Sequence, residues 1–110
     1  MILFSGIMFS CKKSSSTTSP TYTFSQAQGQ AVGGSYTITG NIKATTSLLK
    51  VIVTKEGSST PLITDDSTAK NKNDYDFSYL ITGITVDTWI VLTIYDQNSN
   101  VTTARFFIKA

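Results

Sequence analysis

The residues with chemical potential are few, and their types narrow what they can do. The chain contains no histidine. That removes the commonest general base, the commonest zinc ligand and the side chain that titrates near neutral pH. Serines are plentiful, but no imidazole is present to activate one as a nucleophile. The carboxylates gather around one polar stretch: Asp65, Asp66, Asp74 and Asp76. Oxygen-rich loops of this kind can hold Ca²⁺, yet the spacing matches no EF-hand, and Lys70 and Lys72 lie between. The plainer reading is that these carboxylates solvate a turn and cap strand ends. Asp74 and Asp76 share one face of a strand, but a glycosidase pair needs two carboxyls roughly 5–10 Å apart across a cleft. A domain this small offers no deep cleft, and no phosphate loop or oxyanion device is recognisable. A non-catalytic protein without metal or cofactor is therefore the expectation.

The second group is aromatic. Trp89, Val91 and Tyr95 alternate along one strand, and Phe107 lies on the next with Arg105 and Lys109 beside it. On the side away from the core, such a strip can stack on sugar rings or dock a partner protein. The plainer alternative is that another strand, the N-terminal segment or a second copy covers it.

The elements that position these residues are strands. The 110 residues suffice for one domain. Thr, Ser, Ile, Val and Tyr are abundant, which suits a pleated, half-buried surface. No stretch keeps an apolar period of 3.6, so no helix longer than a turn is predicted. Tyr22-Thr23-Phe24 reads as a first strand, and Gly29, Gly33 and Gly34 mark a bent edge or a segment that switches sheets. Ser35–Lys43 follows, with Tyr36, Ile38 and Ile42 inward and Gly40 in the same register as a bulge or close contact. In Leu48–Lys55, the set Leu49, Val51 and Val53 shares one face. Leu62–Thr64 is a short edge strand opened by Pro61, and the stretch from Asp65 to Asn73 is a polar loop. Asp74–Ile81 alternates cleanly, with Tyr75, Phe77, Tyr79 and Ile81 inward.

Thr88–Asp96 and Thr102–Lys109 form a closing hairpin. Matching its apolar faces pairs Ile94 with Ala104, Leu92 with Phe106 and Ile90 with Ile108. Short strands separated by turns, about seven in all, predict an all-β, immunoglobulin-like antiparallel β-sandwich over residues 21–110. The hairpin, Ile90-Val91-Leu92-Thr93-Ile94-Tyr95-Asp96 then Val101-Thr102-Thr103-Ala104, resembles the last hairpin of bacterial Ig-like domains. Those domains often place Gly in that turn. Here Asn98 or Asn100 is expected at positive φ. The Cys-Trp-Cys pin of antibody domains is absent, and another sandwich or a small barrel stays open.

The N-terminus carries a different signal. Residues 2–9 are an apolar run far short of the roughly 20 residues that span a bilayer. Small Ser10 and then Cys11, the sole cysteine, follow it. The chain then turns polar through Lys12-Lys13 and a run of Ser and Thr to Pro20. Met8-Phe9-Ser10-Cys11 resembles a bacterial lipoprotein signal, and Ser10-Cys11-Lys12-Lys13-Ser14 is similar to lipoproteins of the Bacteroidota. The resemblance implies a signal peptide over residues 1–10, a lipidated Cys11 as mature N-terminus and a flexible tether to residue 20. Each buried acyl CH₂ contributes about 0.8 kcal/mol, so two or three chains anchor a protein stably. The implied partner is a membrane, through lipid on Cys11, and the implied place is the cell envelope. Lys12-Lys13 stand where surface-exported relatives carry acidic residues, which favours the outer membrane on its periplasmic side.

Of nine basic residues, Lys12 and Lys13 lie before Pro20; the remaining seven balance the seven acidic ones. No basic stripe is present to bind nucleic acid. Two functions from different classes remain beside adhesion, scaffolding or protein binding. One is carbohydrate binding as an accessory of glycan uptake. The other is a structural spacer or a piece of a longer surface protein.

Overall fold

A computed structural model describes residues 19–110. Cys11, the apolar run and most of the Ser/Thr segment lie outside the described residues. Eight strands form among these residues: β1 Thr21–Phe24, β2 Gly29–Gln30, β3 Tyr36–Lys43, β4 Leu48–Lys55, β5 Pro61–Asp65, β6 Asp74–Ile81, β7 Thr88–Asp96 and β8 Val101–Lys109. They make two sheets, β1-β3-β6 and β2-β8-β7-β4-β5. No helix occurs among the described residues. The expected all-β sandwich is the observed fold. The strand beyond the expected seven is the two-residue β2, which runs parallel to β8; all other pairs are antiparallel.

Alternation fills the space between the sheets. Ile38 and Ile42 of β3 and Phe77, Tyr79 and Ile81 of β6 face Val51 and Val53 of β4, Ile90, Leu92 and Ile94 of β7, and Ala104, Phe106 and Ile108 of β8. All are buried. The segment after β1 switches sheets, as its glycines suggested: β1 borders the small sheet and β2 the large one. Phe24 closes that side of the sandwich, 4.9 Å from the Phe106 ring and edge-on to Phe77. Gly40 makes this possible. A Cβ there would meet the Thr23 carbonyl and lie 2.7 Å from the Phe77 ring.

Three local expectations are corrected. In β4, Leu48 is buried and Leu49 is exposed, because the pairing with β7 shifts between Leu48 and Lys50. The irregularity turns the face over at the strand's start. In the closing hairpin, Leu92 pairs with Ala104, Ile90 with Phe106 and Ile94 with Thr102. That is two residues from the expected register. A two-residue slide keeps every apolar side chain on its face, so alternation alone cannot choose between them. The turn chooses. Asp96, almost fully buried, accepts bonds from the backbone N–H groups of Asn98 and Asn100, both at 2.8 Å, and from Asn100 Nδ2 at 2.9 Å. This wraps the loop tightly enough for β8 to begin at Val101. The residue at positive φ is Ser99, at 67°, rather than an asparagine.

The third correction concerns Asp65. It is not part of a solvated loop but the buried last residue of β5. The following turn tucks Ala69 into the core as well.

Gly40→Ala forces the Thr23 backbone or the Phe77 ring to move, so it is expected to lower stability by about 1–3 kcal/mol. Urea unfolding of the two proteins checks this.

Candidate functional site

The outer face of the five-stranded sheet carries the aromatic strip. β4, β7 and β8 present Ile52, Thr54, Val91, Thr93 and Thr103 there as a half-exposed, hydroxyl-rich floor, with Thr103 the most exposed. The corrected register changes what lies across from what. Trp89 faces Phe107, not Lys109; Val91 faces Arg105, not Phe107; Tyr95 faces Val101, not Thr103. Asp96 N–H bonds the Asn100 carbonyl, and Glu56 N–H bonds the Trp89 carbonyl. This phase places Trp89 and Phe107 in a non-hydrogen-bonded pair, where opposed side chains approach closest.

The result is a compact cluster at one end of the strip. The Trp89 and Phe107 rings lie 5.0 Å apart at an interplanar angle of 53°. The Arg105 guanidinium sits 4.2 Å from the Trp89 ring centroid. Its Nη2 bonds both Glu56 oxygens, at 2.9 and 2.8 Å. Glu56 thus holds Arg105 over the indole, and the cation–π contact and the ion pair support each other. Trp89 remains 40 % exposed. Sequence reasoning did not include Glu56 in this site. Its neighbourhood depends on the β4–β7 pairing, and the only sequence signal was an acidic residue in the turn after β4.

Tyr95 belongs to a separate group. It lies six residues further along β7, roughly 20 Å away, with Lys50 Nζ 4.9 Å from its ring centroid. Lys109 is exposed beyond Phe107. The structure therefore brings Trp89, Phe107, Arg105 and Glu56 together, sets Val91 beside them, and leaves Tyr95 apart.

The four aspartates divide as well. Asp65 Oδ1 accepts bonds from Thr68 Oγ1 at 2.8 Å and the Ala69 N–H at 3.1 Å; Oδ2 accepts the Tyr75 and Tyr79 hydroxyls, each at 2.8 Å. Burial by itself raises the pKa of this carboxyl. The hydrogen bonds from Thr68, Tyr79, Tyr75 and Ala69 outweigh it and hold the group below the ordinary carboxylate range. Burial and the Asp65 charge push the Tyr79 phenol far above its usual value, and Tyr75 moves the same way. Asp74, by contrast, is exposed. It bonds Lys43 Nζ and Asn41 Nδ2, both at 2.6 Å, and these bonds lower its pKa. Asp76 accepts a bond from Asn41 at 2.9 Å. Asp66 is exposed in the loop. Among the described residues no group of three or more Cys, Asp or Glu side chains is placed to hold a metal ion.

The comparisons with known proteins bear on the fold. No protein-family profile matches the chain, and no curated protein matches it in sequence. Among solved structures it is similar to the fibronectin(III)-like modules of Clostridium thermocellum CbhA, with a TM-score of 0.58 at 13 % identity. The match covers 94 % of this chain and 50 % of that one, so the chain spans half the length of the structure it matches. At that identity the likeness bears on the fold alone, which is that of fibronectin(III)-like and Ig-like modules.

The depressed Asp65 pKa has a defined sign. Its folded value lies below its unfolded one, so its contribution to stability is complete above the unfolded carboxylate value, roughly pH 4. That contribution is lost as pH falls through the lower, folded value. Asp65→Asn is expected to flatten this acid limb, read from melting temperatures between about pH 2 and 6. Asp65→Ala leaves the buried Tyr79 and half-buried Tyr75 phenols without their acceptor and is expected to cost about 1–3 kcal/mol at neutral pH.

Proposed function

We propose that the chain is a non-catalytic, lipid-anchored module of the cell envelope that binds another protein through the Trp89–Phe107–Arg105 cluster. One observation carries the reading. A tryptophan stands half-exposed on a flat sheet face, fixed by an arginine that is itself held by Glu56. Trp and Arg dominate the energetics of protein interfaces, and pre-ordering them lowers the entropy lost on association.

The geometry favours a protein over a sugar. A glycan needs a bare aromatic face on which to stack. Arg105 covers one face of Trp89, and Phe107 is tilted rather than coplanar, so the two rings make no shared platform. Carbohydrate binding is therefore the second reading, and a pure spacer the third.

Position along the fold supports the same reading. The Pro20 carbonyl accepts a bond from Thr102 Oγ1 at 2.6 Å, so the chain enters the domain at the end where β7 runs into β8. Trp89 lies at the other end of β7, about 15–20 Å away. With Cys11 acylated and the intervening residues acting as tether, this cluster lies at the end of the domain remote from its anchored entry. The outer membrane, on its periplasmic side, is the proposed location, and Lys12-Lys13 the feature that favours it. The absence of histidine and the hydrogen bonding of Asp65, Asp74 and Asp76 to neighbouring side chains agree with a non-catalytic role.

Two measurements test this. A photo-crosslinking amino acid at position 89 in cells is expected to give a discrete protein adduct that Arg105→Glu abolishes. Titration of the protein with a polysaccharide panel is expected to leave Trp89 emission unchanged. A saturable, sugar-specific change lost in Trp89→Ala moves glycan binding to first place, and neither signal leaves the spacer. Separately, Cys11→Ser is expected to move the protein from the membrane to the soluble fraction and to end incorporation of a labelled fatty acid.

A further inference from the structure

Four strands border the two sheets, and three of those borders are blunted in the ways that sheets avoid pairing with other chains. β1 has four residues and β2 has two. β5 opens on Pro61, and its pairing slips between Val53 and Thr54 of β4. β6 is different. It runs eight residues without proline and pairs with β3 in one unbroken register. Its other side has no strand among the described residues.

The ladder fixes which backbone groups are left over. The Ala44 N–H bonds the Asn73 carbonyl at 2.8 Å, and the Ser25 N–H bonds the Thr39 carbonyl at 3.0 Å. Because bonds alternate along an antiparallel pair, Tyr75, Phe77, Tyr79 and Ile81 are the residues that exchange backbone bonds with β3. The N–H and C=O groups of Asp76, Ser78 and Leu80 point outward, with no partner among the described residues. A groove of about 350 Å³ runs beside this edge, between β6 and β5. Its floor is fixed by the Tyr75 and Tyr79 hydroxyls on Asp65, and Leu80, 58 % exposed, forms part of its rim.

Side chains along the edge say what fits. Asp74 has its cation in Lys43. Asp76 has none among the described residues; its side-chain partner is the neutral Asn41. Leu80 lies four residues on, on the same face. We propose that the open edge of β6 accepts an extended strand of another protein, with Lys or Arg opposite Asp76 and an apolar side chain opposite Leu80. Backbone bonds supply the affinity and these two positions the selection. A second copy of β6 is a poor occupant, because β6 contains no basic residue to meet Asp76. This surface is on the opposite sheet from Trp89, so the two readings stand or fall separately.

The test uses the full chain, labelled for NMR, and a capped synthetic peptide, Thr-Val-Leu-Val-Thr-Val-Lys-Val-Thr, which lying antiparallel to β6 sets Leu opposite Leu80 and Lys opposite Asp76. Amides of Asp76, Ser78 and Leu80 should exchange rapidly in the free protein and slow by about tenfold or more with peptide, as new hydrogen bonds imply. Those of Tyr75, Phe77 and Tyr79, already bonded to β3, should change less. Ser78→Pro removes an outward N–H and leaves the β3 ladder intact, so it should weaken binding by about tenfold or more. Asp76→Lys keeps the test open if the proline variant does not fold; it should prefer the peptide with Glu in place of Lys. The proposal is overturned by protection of the outward amides in the free, dilute chain, or by protection that grows with protein concentration alone. It is equally overturned if saturating peptide produces no protection, or if Ser78→Pro or Asp76→Lys binds the original peptide unchanged.

Discussion

The side of the sandwich where β5 and β6 run past each other has no backbone pairing to hold the sheets together, and there a single carboxylate takes the place of a ladder. Asp65 ends β5 in the large sheet. Its oxygens gather two hydroxyls from β6 in the small sheet and two donors from the turn between them. A buried carboxylate is costly unless every lone pair is used, and here four donors use them. Remove the charge-assisted bonds and a buried and a half-buried phenol lose their acceptor at once, so the bridge acts as a unit rather than as four separate contacts. The turn that feeds it also buries Ala69. The opposite side of the sandwich is closed by other means. There Phe24 sits against Phe106 and Phe77, in space left by the missing side chain of Gly40.

With the sheets pinned on both sides, the loops at the Pro20 end can be short and tightly bonded. Gln97 reaches the Ser47 and Leu48 carbonyls, and Asn73 reaches those of Ala44 and Thr45. Asp96 wraps the β7–β8 turn. These amide and carboxylate side chains satisfy backbone groups that leave the ladders, as buried polar groups require. The far end is built differently, with Trp89, Phe107, Arg105 and Glu56 on an exposed sheet face. One end is therefore consolidated by polar bonding and the other presents a preformed apolar and cationic surface.

The alternating strands were legible because period-2 patterning has a direct cause: inward residues lose contact with water and outward ones keep it. Ile38, Ile42, Phe77, Tyr79, Ile81, Ile90, Leu92 and Ile94 all lie where that rule puts them. The rule fails where a face is not conserved along the strand. Leu48 and Leu49 are equally apolar, and only the bulge against β7 decides which goes in. It is also blind to a slide of two residues, so the exact partners of Trp89 and Val91 were beyond it. The placement of the strip on one face survived this error, since a two-residue slide keeps every side chain on its face, though Glu56 lay outside the expected set. Its geometry did not: Trp89 meets Phe107 and Arg105 directly, and Tyr95 stands apart.

By itself the sequence determined the all-β sandwich, most of the inward set of side chains and the edge position that Pro61 imposes on β5, and it narrowed the glycine-marked segment to a bent edge or a sheet switch. Each follows from local sterics or from burial along one strand, and neighbouring residues suffice to specify them. Only the tertiary structure decided that Asp65 is buried, because its four donors come from a turn and a strand of the other sheet. The same holds for Glu56 holding Arg105 against Trp89, across three strands. It also holds for β6, whose outer side is left open by every other strand of the described residues. Such features depend on which distant segments meet. A hydrophobic pattern is silent on that, since any pairing that keeps apolar faces together satisfies it equally well.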